Sequence, residues 1–184
     1  MKFTLDNQET ERLHFRKIQT TDFQDWLPFF ENPLSFQYWD AELESPKIEC
    51  KKWYAKQKHR YSHDLGGMNA LIEKDTGKFV GYCGLLVQTV DGETELEIGY
   101  SLLPEFWNKG FATEAASKCR DVAFENDYTT SIISIISLTN DPSKAVALKN
   151  GMHISKQTVY NKNEVHIFRI TKEEWLKLKS GKNG

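Results

Sequence analysis

Hydrophobic and polar residues alternate along residues 12–18, RLHFRKI, with Leu13, Phe15 and Lys17 on one side and His14, Arg16 and Ile18 on the other. That period of two predicts a first strand. In TTDFQDWLPFF, residues 20–30, the period lengthens: Phe23, Trp26 and Leu27 sit at helical spacing behind Thr and Asp, and Pro28 is expected to end or kink the helix. A second helix should open at Ser45 as cap with Pro46 in its first turn. Residues 68–103 read as three strands joined at DTG and DGE, an antiparallel meander.

From about Ala112 to Glu125 the apolar positions Ala112, Ala115, Ala116, Cys119, Val122 and Ala123 form one helical stripe. SIISIIS, residues 131–137, is apolar on both faces, as in a buried parallel strand. Strand, helix and buried strand make a βαβ unit. A short helix follows, with Asp141 as its possible cap, Pro142 opening it and Gly151 closing it. EVHIFRI is a last strand, and Thr171 with Glu174 can form a capping box for a terminal helix. These elements describe an α+β domain around one mixed, mostly antiparallel sheet of six to seven strands with flanking helices. One domain over residues 1–178 and a short disordered tail over 179–184 are expected.

Composition narrows the setting. The 184 residues carry a formal net charge of -2 and 27% charged residues, which gives no global reason to expect nucleic acid or an anionic membrane as partner. No apolar run approaches the roughly 18–20 residues that span a bilayer. The opening residues lack the apolar core of a secretory signal. Cys50, Cys83 and Cys119 form no CxxC pair, so a reducing cytoplasm is the expected compartment.

The stretch FWNKGFATEA, residues 106–115, lies between a strand and a helix. The first turn of a helix carries unpaired N–H groups and partial positive charge. Gly110 and Ala112 let backbone approach closely, Asn108 tolerates positive φ, Lys109 adds a cation and Thr113 a hydroxyl donor. This is the chemistry of a pyrophosphate seat. A plain tight turn before a helix is the other reading. The loop is neither a P-loop nor a GxGxxG dinucleotide turn.

LEIGYSLLPEFWNKGFATEA followed by NDPSKAVALKNGM resembles the GNAT N-acetyltransferase superfamily, in its RimJ/RimL-like branch. The superfamily's acetyl-CoA loop has the form Arg/Gln-x-x-Gly-x-Gly/Ala, and here it reads Trp107-Asn108-Lys109-Gly110-Phe111-Ala112. Trp107 replaces the usual first residue, and Asn108 stands where the branch often has glycine. Asn140, Ser143, Lys149 and Gly151 match a downstream Asn-x-x-Ser and Lys-x-Gly pattern. TERLHFRKI and HIFRITKEEW resemble the branch's first and last strands, so the likeness spans most of the chain.

The resemblance implies a GNAT fold with a splayed parallel strand pair. It implies transfer of acetyl from acetyl-CoA, as co-substrate and without a metal, to a primary amine. A protein or peptide N-terminus is the first choice of acceptor. A small amine (a polyamine, an amino acid or an antibiotic) and a non-catalytic acyl-CoA-binding module are the alternatives. Ser101, Leu102 and Leu103 would meet the pantetheine arm, Lys109 to Thr113 the pyrophosphate, and Asn140 an amide of the arm. Lys149 belongs to the same cofactor-binding set. Glu97 is the candidate base, through a water; Glu95, on the same strand face, competes for that role or gathers positive charge. Ser143 either donates to the departing thiolate or supports a helix cap. A monomer or homodimer is expected.

Other residues carry blander readings. His59 and His63 are one helical turn apart without a third ligand, so a solvated helix end is expected rather than a metal site. His14 and His166 read as packing, Cys119 as core, and Cys83 as lacking a partner base. The aromatic residues from Phe29 to Tyr54 read mostly as core, with some facing the acceptor. KKWYAKQKHR reads as a solvated basic face, with a ribosome-facing patch as the other option.

Overall fold

The computed structural model describes residues 2–40 and 42–181. Its meander forms where the sequence places its turn residues. Strands β2 (Gly66–Glu73), β3 (Phe79–Val90) and β4 (Glu93–Leu102) pair antiparallel. Asp91 and Gly92 both take positive φ, 50° and 83°, which suits a two-residue turn twisted like its strands. Strand β1 (Leu13–Arg16) adds to β2 at one edge.

The helices are α1 (Asp22–Glu31), α2 (Pro46–Ser62), α3 (Phe111–Glu125), α4 (Asp141–Lys149) and α5 (Lys172–Gly181). Strands β5 (Ser131–Ser137), β6 (His153–Tyr160) and β7 (Asn163–Thr171) complete a seven-stranded sheet in the order β1-β2-β3-β4-β5-β7-β6. Among the described residues only β4 and β5 pair parallel, through the single register pair Glu97↔Ile133, where β3 and β4 share a ladder from Gly81↔Leu102 to Val90↔Glu93. Beyond Glu97 the parallel strands part. This is the GNAT fold with its splayed pair.

Strand alternation sorts the two faces of β3. Cys83 meets Cys119 of α3, Sγ to Sγ 3.4 Å, and Tyr82 meets Tyr54 of α2, hydroxyl to hydroxyl 2.7 Å. Both cysteines are buried and free, so Cys83 belongs to the core under α3. Trp26 of α1 is fully buried, stacks on Phe29 and packs edge-on to Tyr82. Burying several aromatic rings together holds α1 and α2 on this face.

Some local details differ from the expected ones. Helix α1 runs through Pro28 to Glu31 and stops before Pro33. Helix α4 is capped by Asn140, whose Oδ1 accepts from Ser143 N at 3.1 Å; Asp141, already helical, pairs with Lys144 instead. Gly151, at φ 78°, does close it. Strand β6 was not apparent in the sequence, because this edge strand is exposed at most positions and carries polar residues on both faces. Helix α5 opens with the Thr171–Glu174 capping box, Thr171 N to Glu174 Oε2 2.8 Å and Glu174 N to Thr171 Oγ1 3.3 Å. It continues to Gly181, so residues 179–181 of the expected tail are helical; 182–184 lie outside the described residues.

Candidate active site

The turn before α3 has the backbone that the sequence suggested. Asn108 (φ 59°) and Gly110 (φ 83°) are left-handed. The first helical bond runs from Glu114 N to Gly110 O, 3.0 Å. Phe111, Ala112 and Thr113 therefore have no carbonyl one turn earlier to receive their N–H groups. A residue the sequence reading passed over fixes this turn. Arg12 donates through Nη1 to Lys109 O at 2.9 Å, reaches Glu114 Oε2 through Nε at 2.7 Å, and lies over the Phe111 ring at 4.3 Å. Burial alone would raise the Glu114 carboxyl, but bonds from Thr10 and Arg12 reverse this and hold it below its usual range.

Leu103 behaves differently from expectation. Its N–H is taken by Val80 O at 3.0 Å. Alternation along β4 then turns the backbone groups of Ser101 toward β3 as well, and those of Tyr100 and Leu102 toward the gap beside β5. Two bonds fit this polarity: Ser134 Oγ donates to Ile98 O at 3.2 Å, and Trp107 Nε1 donates to Leu102 O at 2.8 Å. The backbone on offer in the gap is thus that of Tyr100 and the Leu102 N–H. Tyr100 also donates its hydroxyl to Ser143 O at 3.3 Å, and burial raises its phenol above the usual value.

These parts meet in a cleft of about 530 Å³. Ser101, Leu102, Trp107, Asn108, Gly110, Phe111, Ala112, Thr113, Asn140, Ser143 and Lys149 line it. Phe29, Leu34, Ser35, Gln37, Tyr38 and Trp39 form its other wall. Lys109 lies at the mouth, exposed, with Nζ 5.5 Å from the Phe106 ring. A larger cavity of about 650 Å³ touches only Leu103 of the expected residues, so volume does not identify the chemical site. Among the described residues no group of three or more His, Cys, Asp or Glu could hold a metal ion, and no helix is long and apolar enough to cross a membrane.

Glu97 stands at the point where β4 and β5 part, on the strand face shared with Gly99 and Ser101. It is 9% exposed and lies outside the wall of the cleft. Trp39 connects the two regions, since it lines the cleft and packs on the cluster of Val90, Ile133, Ile135, Val165 and Ile167. Burial raises the Glu97 carboxyl; Gln88, Arg60, the Ile135 backbone amide and Lys56 oppose that shift. Gln88 Nε2 donates to Glu97 Oε2 at 2.7 Å. Glu95 is engaged elsewhere, accepting from both terminal nitrogens of Arg169, which also donates to Ser131 Oγ at 2.6 Å.

The remaining candidates sort plainly. His59 and His63 lie against each other, ring centroids 4.0 Å apart and planes tilted by 33°. The basic run is mostly exposed, and Lys52 pairs with Glu44 and Glu49, but Arg60 at its end is buried. Neither Arg60 nor Gln88 gave a signal in the sequence.

Residues 12–153 match the family model described as an acetyltransferase (GNAT) domain. The chain is similar to the uncharacterized Bacillus subtilis protein YkkB, 39% identical with 80% of this chain and 85% of that one covered. It is similar to the putative ribosomal N-acetyltransferase YdaF of Bacillus subtilis, at 26% identity, 93% and 90% covered. Among solved structures, the acetyltransferase from Agrobacterium tumefaciens superposes with a TM-score of 0.75 at 23% identity, over 92% of this chain and 96% of that one.

Proposed function

Because the chain belongs to the GNAT acetyltransferase family and is an acetyl-CoA-dependent N-acetyltransferase, we propose that it acetylates the N-terminal amine of a protein or peptide with Glu97 as general base. The observation that carries this reading is the placement of Glu97 at the divergence of β4 and β5, buried, while Glu95 is held by Arg169. YdaF, the relative named as a putative ribosomal N-acetyltransferase, supports a protein acceptor. An α-amine, with an ordinary pKa of about 7.7–8.0, needs only a modest base, whereas a lysine at about 10.4 needs more help.

The donor set suits acetyl-CoA. The unpaired N–H groups of Phe111, Ala112 and Thr113 would hold the diphosphate, with Lys109 and Lys149 as nearby cations. The backbone of Tyr100 and the Leu102 N–H would take the place of a strand partner for the amide-bearing arm. Bound acetyl-CoA supplies the activated acyl group. The amine nitrogen would attack the thioester carbon as the C–S bond breaks; Glu97 would take a proton from the amine, directly or through a water, and Ser143 or the Tyr100 hydroxyl would give one to the leaving sulfur. Three buried free thiols suit the reducing cytoplasm in which we place the reaction.

The test is thiol release from acetyl-CoA with peptides of varied N-terminal residue beside polyamines, amino acids and an aminoglycoside. The acetylated position is then located by mass spectrometry. Modification at a peptide α-amine supports the proposal. Turnover confined to small amines replaces the acceptor.

A further inference from the structure

The surroundings of Glu97 contain a second layer that extends the reading of this residue as the base and rests on it. Arg60 of α2 is only 6% exposed, although it ends a run of solvated lysines. Its Nη1 donates to the carbonyls of Leu65 at 3.0 Å and Val87 at 3.1 Å. Its Nη2 donates to Gln88 Oε1 at 2.8 Å. A guanidinium has donors and no acceptor, so the Gln88 amide must turn its oxygen toward Arg60. That leaves Nε2 for Glu97, and the Nε2 to Oε2 distance is 2.7 Å. Amide orientation is often ambiguous; here the chemistry of the neighbour decides it.

We infer that Arg60 and Gln88 form a positioning relay for Glu97, in which the guanidinium locks the amide and the amide holds one carboxylate oxygen, fixing the direction in which the carboxylate meets the acceptor amine or its water. Neither residue touches the reacting atoms. Their effect is on the direction and the charge of the carboxyl. Without a donor, a carboxyl this buried would favour its protonated form and lose its use as a base. An amide pinned from behind loses little rotamer freedom on holding it.

Other groups also face Glu97. Lys56 and Arg60 come from α2, the Ile135 amide from β5 and Tyr160 from β6. Tyr100 lies on its own strand, as does Glu95, which is paired with Arg169 of β7. Gln88 of β3 is the side chain that hydrogen-bonds the carboxylate, at 2.7 Å. A merely structural Arg60 would need only its two carbonyl bonds, which join α2 to the turn before β2 and to β3.

The experiment is a direct titration of the Glu97 carboxyl by NMR in protein carrying 13C at the glutamate side-chain carboxyls, with Glu97→Gln assigning the signal. Gln88→Leu should raise the midpoint by about one pH unit or more, the shift that losing a hydrogen bond to a charged group produces. Arg60→Met should raise it as well, and should add much less when Gln88 is already Leu. An unmoved midpoint in Gln88→Leu overturns the relay, and so does an Arg60→Met shift of equal size with and without Gln88. If Arg60→Met does not fold, Gln88→Leu decides alone, because it leaves both carbonyl bonds of Arg60 intact. The titration uses no acceptor. Wild-type transfer by Glu97→Gln would therefore remove the base assignment separately, while a normal midpoint in Gln88→Leu would remove only the relay.

Discussion

Arg12 and Glu114, 102 positions apart in the chain, meet through Nε to Oε2 at 2.7 Å and Nη2 to Oε2 at 2.6 Å. The pair ties the approach to β1 to the first turn of α3. Its guanidinium also holds Lys109 O, so it sets the shape of the turn that would receive a diphosphate. Arg12→Ala should weaken acetyl-CoA binding about fivefold, roughly 1 kcal/mol for a half-exposed charged pair. Calorimetric titration with acetyl-CoA measures this, and unchanged affinity would show that the turn holds its shape alone.

Gly110→Ala tests the same turn from the backbone. At φ 83° a side chain is strained, and a Cβ there would stand 3.3 Å from Arg12 Nη2. The left-handed residue costs about 1–2 kcal/mol, so the melting temperature should fall. Gly77→Ala, also at positive φ but with nothing near its Cβ, controls for the backbone part. Only Gly110→Ala should also lose acetyl-CoA affinity.

Asn140 and Ser143 separate capping from chemistry. The cap is the bond from Ser143 N to Asn140 Oδ1, which a serine side chain does not make. Asn140→Ala should destabilise the protein by about 1 kcal/mol. Ser143→Ala should leave chemical-denaturation stability nearly unchanged. A drop in kcat for Ser143→Ala at constant stability would then mark a role at the leaving sulfur, and full activity would leave the residue as part of the cap alone.

Glu97→Gln should lower kcat by about 10²–10⁴-fold, the range for loss of a positioned base, with acetyl-CoA affinity kept. Since burial raises the Glu97 carboxyl, the rising limb of kcat/KM against pH should lie above the usual glutamate range. A limb at the ordinary value would show that the carboxyl is solvated during turnover.

The same shift has a consequence for stability. A raised folded pKa means that the native state binds the proton more tightly than the unfolded chain does. The stabilising contribution is full below the unfolded pKa of about 4.3 and is lost as pH rises through the folded value. Melting temperatures of Glu97→Gln and wild type should therefore diverge in favour of the variant as pH rises from 4 to 8. A constant difference would contradict the burial of a charged group.

Much of this was readable from residue types because it depends on local periodicity. The meander, α3 and the Thr171–Glu174 box follow from alternation, a helical stripe and a capping spacing. Strand β6 was hidden because an exposed edge needs no apolar face. Asn140 rather than Asp141 caps α4 because the capping side chain must sit one residue outside the helix, and sequence leaves that boundary uncertain by a residue.

By itself the sequence determined the order of the elements other than β6, the two-motif likeness to GNAT enzymes, and the turn at Asn108 to Gly110, all properties of neighbouring residues. Tertiary structure alone decided that Leu103 faces β3, that Arg169 occupies Glu95, and that Arg60 is buried behind Gln88 and Glu97. Strand register and the packing of α2 bring distant side chains within hydrogen-bond distance, and no local pattern encodes which donor a buried carboxylate will meet.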